Sequence, residues 1–116
     1  MTRQAAEASG RMAEAIAANF LRLKGWTILD RRVRTPAGEV DIVMRRPGLV
    51  AFVEVKSRKT AAALDLALDR QRLIRVAAAA EMLIPRYAQA GDDIRIDAVL
   101  IAPGRLPRHP EHVWQG

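Results

Sequence analysis

Residues 38–59 read Gly38-Glu39-Val40-Asp41-Ile42-Val43-Met44-Arg45-Arg46-Pro47-Gly48-Leu49-Val50-Ala51-Phe52-Val53-Glu54-Val55-Lys56-Ser57-Arg58-Lys59. Two apolar, β-branched runs flank Pro47-Gly48, which predicts a β-hairpin. Charged residues are seldom set into such runs unless they are paired or bound to something. Yet Asp41 stands early in the first run, and Glu54 and Lys56 stand late in the second. A symmetric turn makes Asp41 face Glu54, Glu39 face Lys56 and Val43 face Phe52, with all six side chains on one face. L-Pro does not suit the φ > 0 position of a two-residue type I′ loop, so a four-residue loop with the same pairing is expected.

Two carboxylates placed opposite each other repel, and such pairs normally keep one member protonated. A divalent cation removes that penalty. Mg²⁺ takes one or two carboxylates, keeps several waters and accepts phosphate oxygens as its remaining ligands. Lys56 points to the same side as Glu54, where it could hold a nucleophilic water or neutralise a phosphorane-like transition state. The pattern is that of metal-assisted phosphodiester hydrolysis.

Upstream, residues 2–24 read as a helix, with Met12, Ile16, Phe20 and Leu23 as its buried stripe and Gly25 after its end. Glu14 falls roughly opposite that stripe, so periodicity makes it a solvated residue. Residues 26–33 form a first strand, and Arg31, Arg32 and Arg34 form either its polar end or a phosphate-facing rim. Downstream, Ser57-Arg58-Lys59-Thr60 is a basic loop beside the acidic pair. Residues 62–86 read as one long helix with Leu66, Leu73, Val76, Ala80 and Leu83 on its apolar side, and Pro85 ends or kinks it. Gln71 is a polar candidate for the edge of the site, while Arg70, Arg72 and Arg75 are placed to track a nucleic-acid backbone. Residues 94–101 form a last strand, which a helical crossover makes parallel to the Glu54 strand. Asp97 there is read as half of an ion pair with Arg95 rather than as a metal ligand. His109 and His112, with Pro110 between them, are set aside as a metal pair, and Trp114 is expected to pack on the core.

The chain has 116 residues and no cysteine, which suits one domain over residues 1–116 with a single modest core. Disulfides and thiolate metal sites are excluded. No secretory signal is visible, and no apolar run approaches the roughly 20 residues needed to span a membrane. A cytoplasmic protein is therefore expected. The formal charge is +6, from 19 basic and 13 acidic residues, and the pI is about 11.0. Such a balance suits a polyanionic partner.

The spacing Asp-x12-Glu-x-Lys on a hairpin resembles the PD-(D/E)xK nuclease superfamily of restriction enzymes and Holliday-junction resolvases. More narrowly, the chain resembles the bacterial YraN-type family of predicted endonucleases. The matching segments are Glu14, Gly25-Trp26-Thr27-Ile28-Leu29, Gly38-Glu39-Val40-Asp41, Phe52-Val53-Glu54-Val55-Lys56-Ser57-Arg58 and Arg95-Ile96-Asp97. Val40 stands where the superfamily name places Pro, and Arg70-Gln71-Arg72 stands where many relatives carry a Lys-rich segment. The resemblance implies a three-layer, restriction-endonuclease-like α/β fold with a mixed sheet and element order αβββαβ. It implies a Mg²⁺- or Mn²⁺-dependent endonuclease acting on DNA, with branched or damaged DNA as candidate substrates. Asp41, Glu54 and the Val55 carbonyl would hold the metal, and Lys56 would orient or activate water. Glu39 would tune Lys56, and Glu14 would complete an outer ligand set. Arg34, Arg58, Lys59, Gln71 and Arg72 would contact the nucleic acid, and a homodimer would supply two cuts. The alternatives are a catalytically silent DNA-binding or assembly module on the same fold, and a hydrolase of small phosphoesters.

Overall fold

The first helix, α1, spans Arg3–Leu23. The Thr2 hydroxyl accepts the Ala5 N–H at 3.0 Å, which satisfies one of the donors a helix start leaves open. The helix closes at Lys24, and Gly25 follows at φ +97°, a conformation that costs glycine little. This computed structural model describes residues 2–65 and 67–115, apart from the side chains of residues 6–8 and 65. Leu66, expected on the apolar side of the second helix, lies outside the described residues.

The buried face of α1 is not the one its bulky residues predict. Met12 is 66 % exposed, Leu23 is 89 % exposed and Ile16 is also exposed; Ala13, Glu14, Ala17, Ala18 and Leu21 are buried instead. Small side chains let the helix backbone approach a sheet already filled by Ile42, Met44, Ala51, Val53 and Val99, which form one core with that alanine face.

Four strands follow the predicted order: β1 (Thr27–Thr35), β2 (Gly38–Arg46), β3 (Leu49–Ser57) and β4 (Asp93–Ile101). They lie β1-β2-β3-β4 in a mixed sheet whose first two pairings are antiparallel and whose last is parallel. The hairpin register is the expected one where it is formed, with Val43 opposite Phe52 and Arg46 opposite Leu49. The loop is shorter than expected, only Pro47-Gly48. Gly48 has φ +77°, and Pro followed by a left-handed Gly is the sequence of a type II turn, which accepts L-Pro where type I′ does not.

The predicted long helix is two helices, α2 (Ala61–Asp65) and α3 (Arg70–Tyr87). Asp69 starts α3 by accepting the Arg72 N–H at 2.7 Å, so a new N-terminus forms inside the alanine-rich stretch. Pro85 sits in the last turn of α3, which runs two residues further. The α3 face of the sheet buries Val33, Val40, Val43, Val50, Phe52 and Ile96 against Val76, Ala79, Ala80 and Leu83. The sheet is thus covered by α1 on one face and α3 on the other. Trp114 packs at the edge of this second core, as expected.

Residues 108–113 run along the edge of β4 that β3 does not use. Ala98 N–H donates to the Pro110 carbonyl at 2.9 Å, Val113 N–H to Ile96 at 2.8 Å, and Leu100 exchanges both bonds with Arg108. No helix among the described residues is long and apolar enough to cross a membrane.

Candidate functional site

The β2–β3 ladder stops at the Ile42–Val53 pair, whereas β3 continues against β4 as far as Ser57–Ile101. The expected ladder pairs Asp41–Glu54 and Glu39–Lys56 are therefore not formed. Asp41 does something else at the point where the strands part: its Oδ2 accepts the Val55 N–H at 2.7 Å. On the other side of β2 the register passes from Arg31–Ile42 to Val33–Val40, and Arg32, between them, adopts φ +54°. Val40 and Val43 both enter the α3-side core although strict alternation would separate them. The chain is thus irregular at Asp41 and Arg32, and irregularities of this kind re-aim side chains at a sheet's rim.

Glu54 is almost wholly buried, at 1 % exposed. Lys56, two residues on and on the same side of β3, places Nζ 3.2 Å from Glu54 Oε1. Arg72, in the first turn of α3, places Nε 2.9 Å from the same oxygen. Asp41 and Glu54 line one cavity of about 240 Å³ with Glu39, Arg72 and Arg75. Burial, and then the neighbouring Glu54 charge, push the Asp41 carboxyl up to about 7; the Val55 N–H opposes this without cancelling it. Glu39, Asp41 and Arg72 also line a larger cleft of about 660 Å³, whose walls include Glu14 and Val55 and the basic residues Arg11, Arg32, Lys56, Arg58 and Lys59.

Glu14 is not solvated. It is buried on the sheet side of α1, with Oε1 3.1 Å from Arg31 Nε and Oε2 3.7 Å from Arg32 Nε. Burial raises its pKa and the two guanidiniums oppose that rise. Two of the arginines left open between a polar strand end and a phosphate rim are therefore spent partly on Glu14. Glu39 meets Arg34 across β1–β2 at 3.5 Å rather than Lys56. Arg34 itself is exposed and is not among the residues walling either cavity. Gln71 is exposed and lines neither cavity; its neighbour Arg72 lines both and reaches Glu54, and Arg75 joins it in the inner one. Composition gave no sign of the Arg72–Glu54 partnership, because the two residues belong to different elements that only packing brings together.

Asp97 is the expected ion-pair member and is fully buried. Arg95 holds both its oxygens at 2.8 Å, His109 Nε2 lies 2.8 Å from Oδ2, and the His112 N–H donates to Oδ1 at 3.0 Å. Burial alone would raise this carboxyl, but the His109, Arg95 and His112 bonds together hold it at about 2. His109 and His112 thus serve Asp97. Among the described residues no group of three His, Cys, Asp or Glu side chains converges as a metal cluster.

The fold and the site define a small basic α/β domain with an acidic pair and a lysine at a fork in its sheet. Residues 13–101 match the family described as "Uncharacterised protein family UPF0102", and this chain belongs to that family. It is similar to a UPF0102 protein of Sphingopyxis alaskensis, at 65 % identity over 115 residues covering 99 % of each chain. It is also similar to UPF0102 proteins of Erythrobacter litoralis, at 60 % identity over 99 % of each chain, and of Rhizorhabdus wittichii, at 54 % over 98 % of this chain and 97 % of the other. This family is the YraN-like one that the sequence motifs resemble.

Proposed function

We propose that this chain is a Mg²⁺- or Mn²⁺-dependent endonuclease of the PD-(D/E)xK type, with a restriction-endonuclease-like core, acting on DNA, with branched or damaged duplexes as candidate substrates. One observation carries the reading: Asp41 and Glu54 wall the same cavity while Lys56 rests on Glu54. Two carboxylates, one held near neutrality by burial beside the other, are a donor set that a hard divalent ion relieves. Asp41 and Glu54 are the residues that would hold such an ion, with the Val55 carbonyl as a third ligand. Two carboxylates suffice for Mg²⁺, which keeps waters and phosphate oxygens as its other ligands, so a three-acid cluster is not required. When bound, the metal supplies Lewis-acid activation of water and of the phosphate.

The chain's own part is positioning and charge. In hydrolysis a water adds to phosphorus and the bond to the leaving sugar oxygen breaks. The Lys56 ammonium neutralises the charge that builds on the phosphoryl oxygens and orients the incoming water. Arg58 and Lys59, on the wall of the larger cleft, hold the flanking backbone phosphates. Glu14, itself on the cleft wall, keeps Arg32 in place there and pairs with Arg31 behind it.

A second reading has its own support. Lys56 and Arg72 already neutralise Glu54 within the protein, as a silent DNA-binding module would need. The two separate in a cleavage assay on linear, nicked and four-way DNA with Mg²⁺ or Mn²⁺ titrated in. The nuclease cuts, and Lys56→Ala lowers the rate about 100-fold or more while DNA binding survives. Binding with no cleavage in either metal establishes the module. Hydrolysis of nucleotides without salt-sensitive duplex affinity establishes a small-phosphoester enzyme.

A further inference from the structure

We propose that Arg72 is a stand-in cation: it occupies Glu54 while no divalent ion is bound, yields the carboxylate when the ion arrives, and then pairs with a substrate phosphate. The inference rests on the metal reading of the site and adds to it a role for one residue.

Three observations carry it. Both cations on Glu54 use the same oxygen, Oε1, with Arg72 the nearer at 2.9 Å. Arg72 also borders both the inner cavity shared by Asp41 and Glu54 and the outer basic cleft, so it stands where an incoming phosphate and the acidic pair meet. The two cations differ in freedom: the Lys56 side chain is 11 % exposed and Arg72 is 46 % exposed. Leaving Glu54 exposes little that is new for Arg72, whereas Lys56 would have to be drawn from a buried position.

The charges agree with this exchange. Without metal, the buried Glu54 carboxylate needs cations beside it, since an unpaired buried charge is costly. A divalent ion makes the second of those cations redundant and repels it. The released guanidinium offers a planar fork that suits a phosphate. Metal and Arg72 thus compete for Glu54, while metal and DNA cooperate through Arg72.

Mn²⁺ affinity of the full chain, measured by the EPR signal of the free ion without DNA, tests the competition. Arg72→Gln is expected to bind Mn²⁺ roughly threefold to tenfold more tightly than the parent protein, the range left by a partly exposed ion pair. Arg72→Met, which keeps the apolar stem, is expected to do the same; both substitutions keep the backbone N–H that Asp69 caps. In the presence of Mn²⁺, the same variants are expected to bind duplex DNA more weakly, with a log–log salt slope smaller by about one. Parent and variants binding Mn²⁺ equally, or the variants binding it less tightly, overturns the stand-in role and leaves the metal site intact. An unchanged salt slope overturns the phosphate role. No Mn²⁺ binding by any of the proteins, or binding that Glu54→Gln leaves unaltered, overturns the metal reading itself and the proposal with it.

Discussion

Asp41 is held at a fork between strands by a single backbone N–H, with a buried carboxylate as its neighbour. Its ordinary value of 3.8 is raised to about 7 in the folded chain. Between those values the folded protein binds a proton that the unfolded chain has released. Stability without metal therefore falls as pH rises from about 4 to about 7 and levels off above that. Urea unfolding at pH 5 and pH 8 is expected to show a loss on the order of 2 kcal/mol in the parent protein and less than half of that in Asp41→Asn. Asn can still accept the Val55 N–H, so the comparison isolates the charge. At this scale the sequence was informative about chemistry and poor about partners. It singled out Asp41, Glu54 and Lys56, because charged residues inside β-branched runs are anomalous wherever they fold. It could not give Glu14 its arginines or Glu54 its Arg72, since those pairs join elements far apart in the chain.

The first helix was placed more reliably than its face, whereas the second was placed less reliably than its face: Val76, Ala80 and Leu83 are buried as expected, but the helix is split in two. On α1 the expected stripe of Met12, Ile16, Phe20 and Leu23 is exposed at three of its four positions, and only Phe20 still packs against the core. A helix lying on a sheet gains more from close backbone approach than from long side chains, so the alanine face won. Ala17→Leu is accordingly expected to cost about 1–3 kcal/mol by overpacking, whereas Met12→Ala stays within about 0.5 kcal/mol; thermal or urea denaturation of the two variants checks the inversion. The division between α2 and α3 was written in Asp69, a favoured capping residue, but the surrounding alanines support helix on both sides of it and hid the break. The hairpin, by contrast, was legible down to its register. Strand alternation and a Pro-Gly turn leave few ways to pair two such runs; the departures are a loop of two residues instead of four and the end of the ladder where Asp41 leaves it.

For the molecule as a whole, the carboxy-terminal segment closes the sheet. A stretch that reads as a proline-rich loop covers the free edge of β4 with backbone hydrogen bonds and delivers His109 to Asp97. His109 in turn stands 2.6 Å from Lys24 at the end of α1, so this segment ties the first helix to the last strand. A chain truncated after Arg105 is expected to lose more than about 3 kcal/mol of stability, measured by chemical denaturation, because Asp97 keeps Arg95 but loses two hydrogen bonds and a strand edge is bared. Aggregation on concentrating the truncated chain would be the visible sign of that bare edge.

By itself the sequence determined the succession of strands along the chain, the crossover, the hairpin register next to its turn and the three charged residues, because period, turn chemistry and misplaced charge are local properties that survive any tertiary arrangement. The tertiary structure alone decided which face of α1 is buried, that the ladder opens at Asp41, and that Arg72 rather than Gln71 reaches Glu54. Those outcomes depend on how closely two surfaces approach and on where a capped helix begins relative to a strand, and a one-dimensional pattern does not encode such distances.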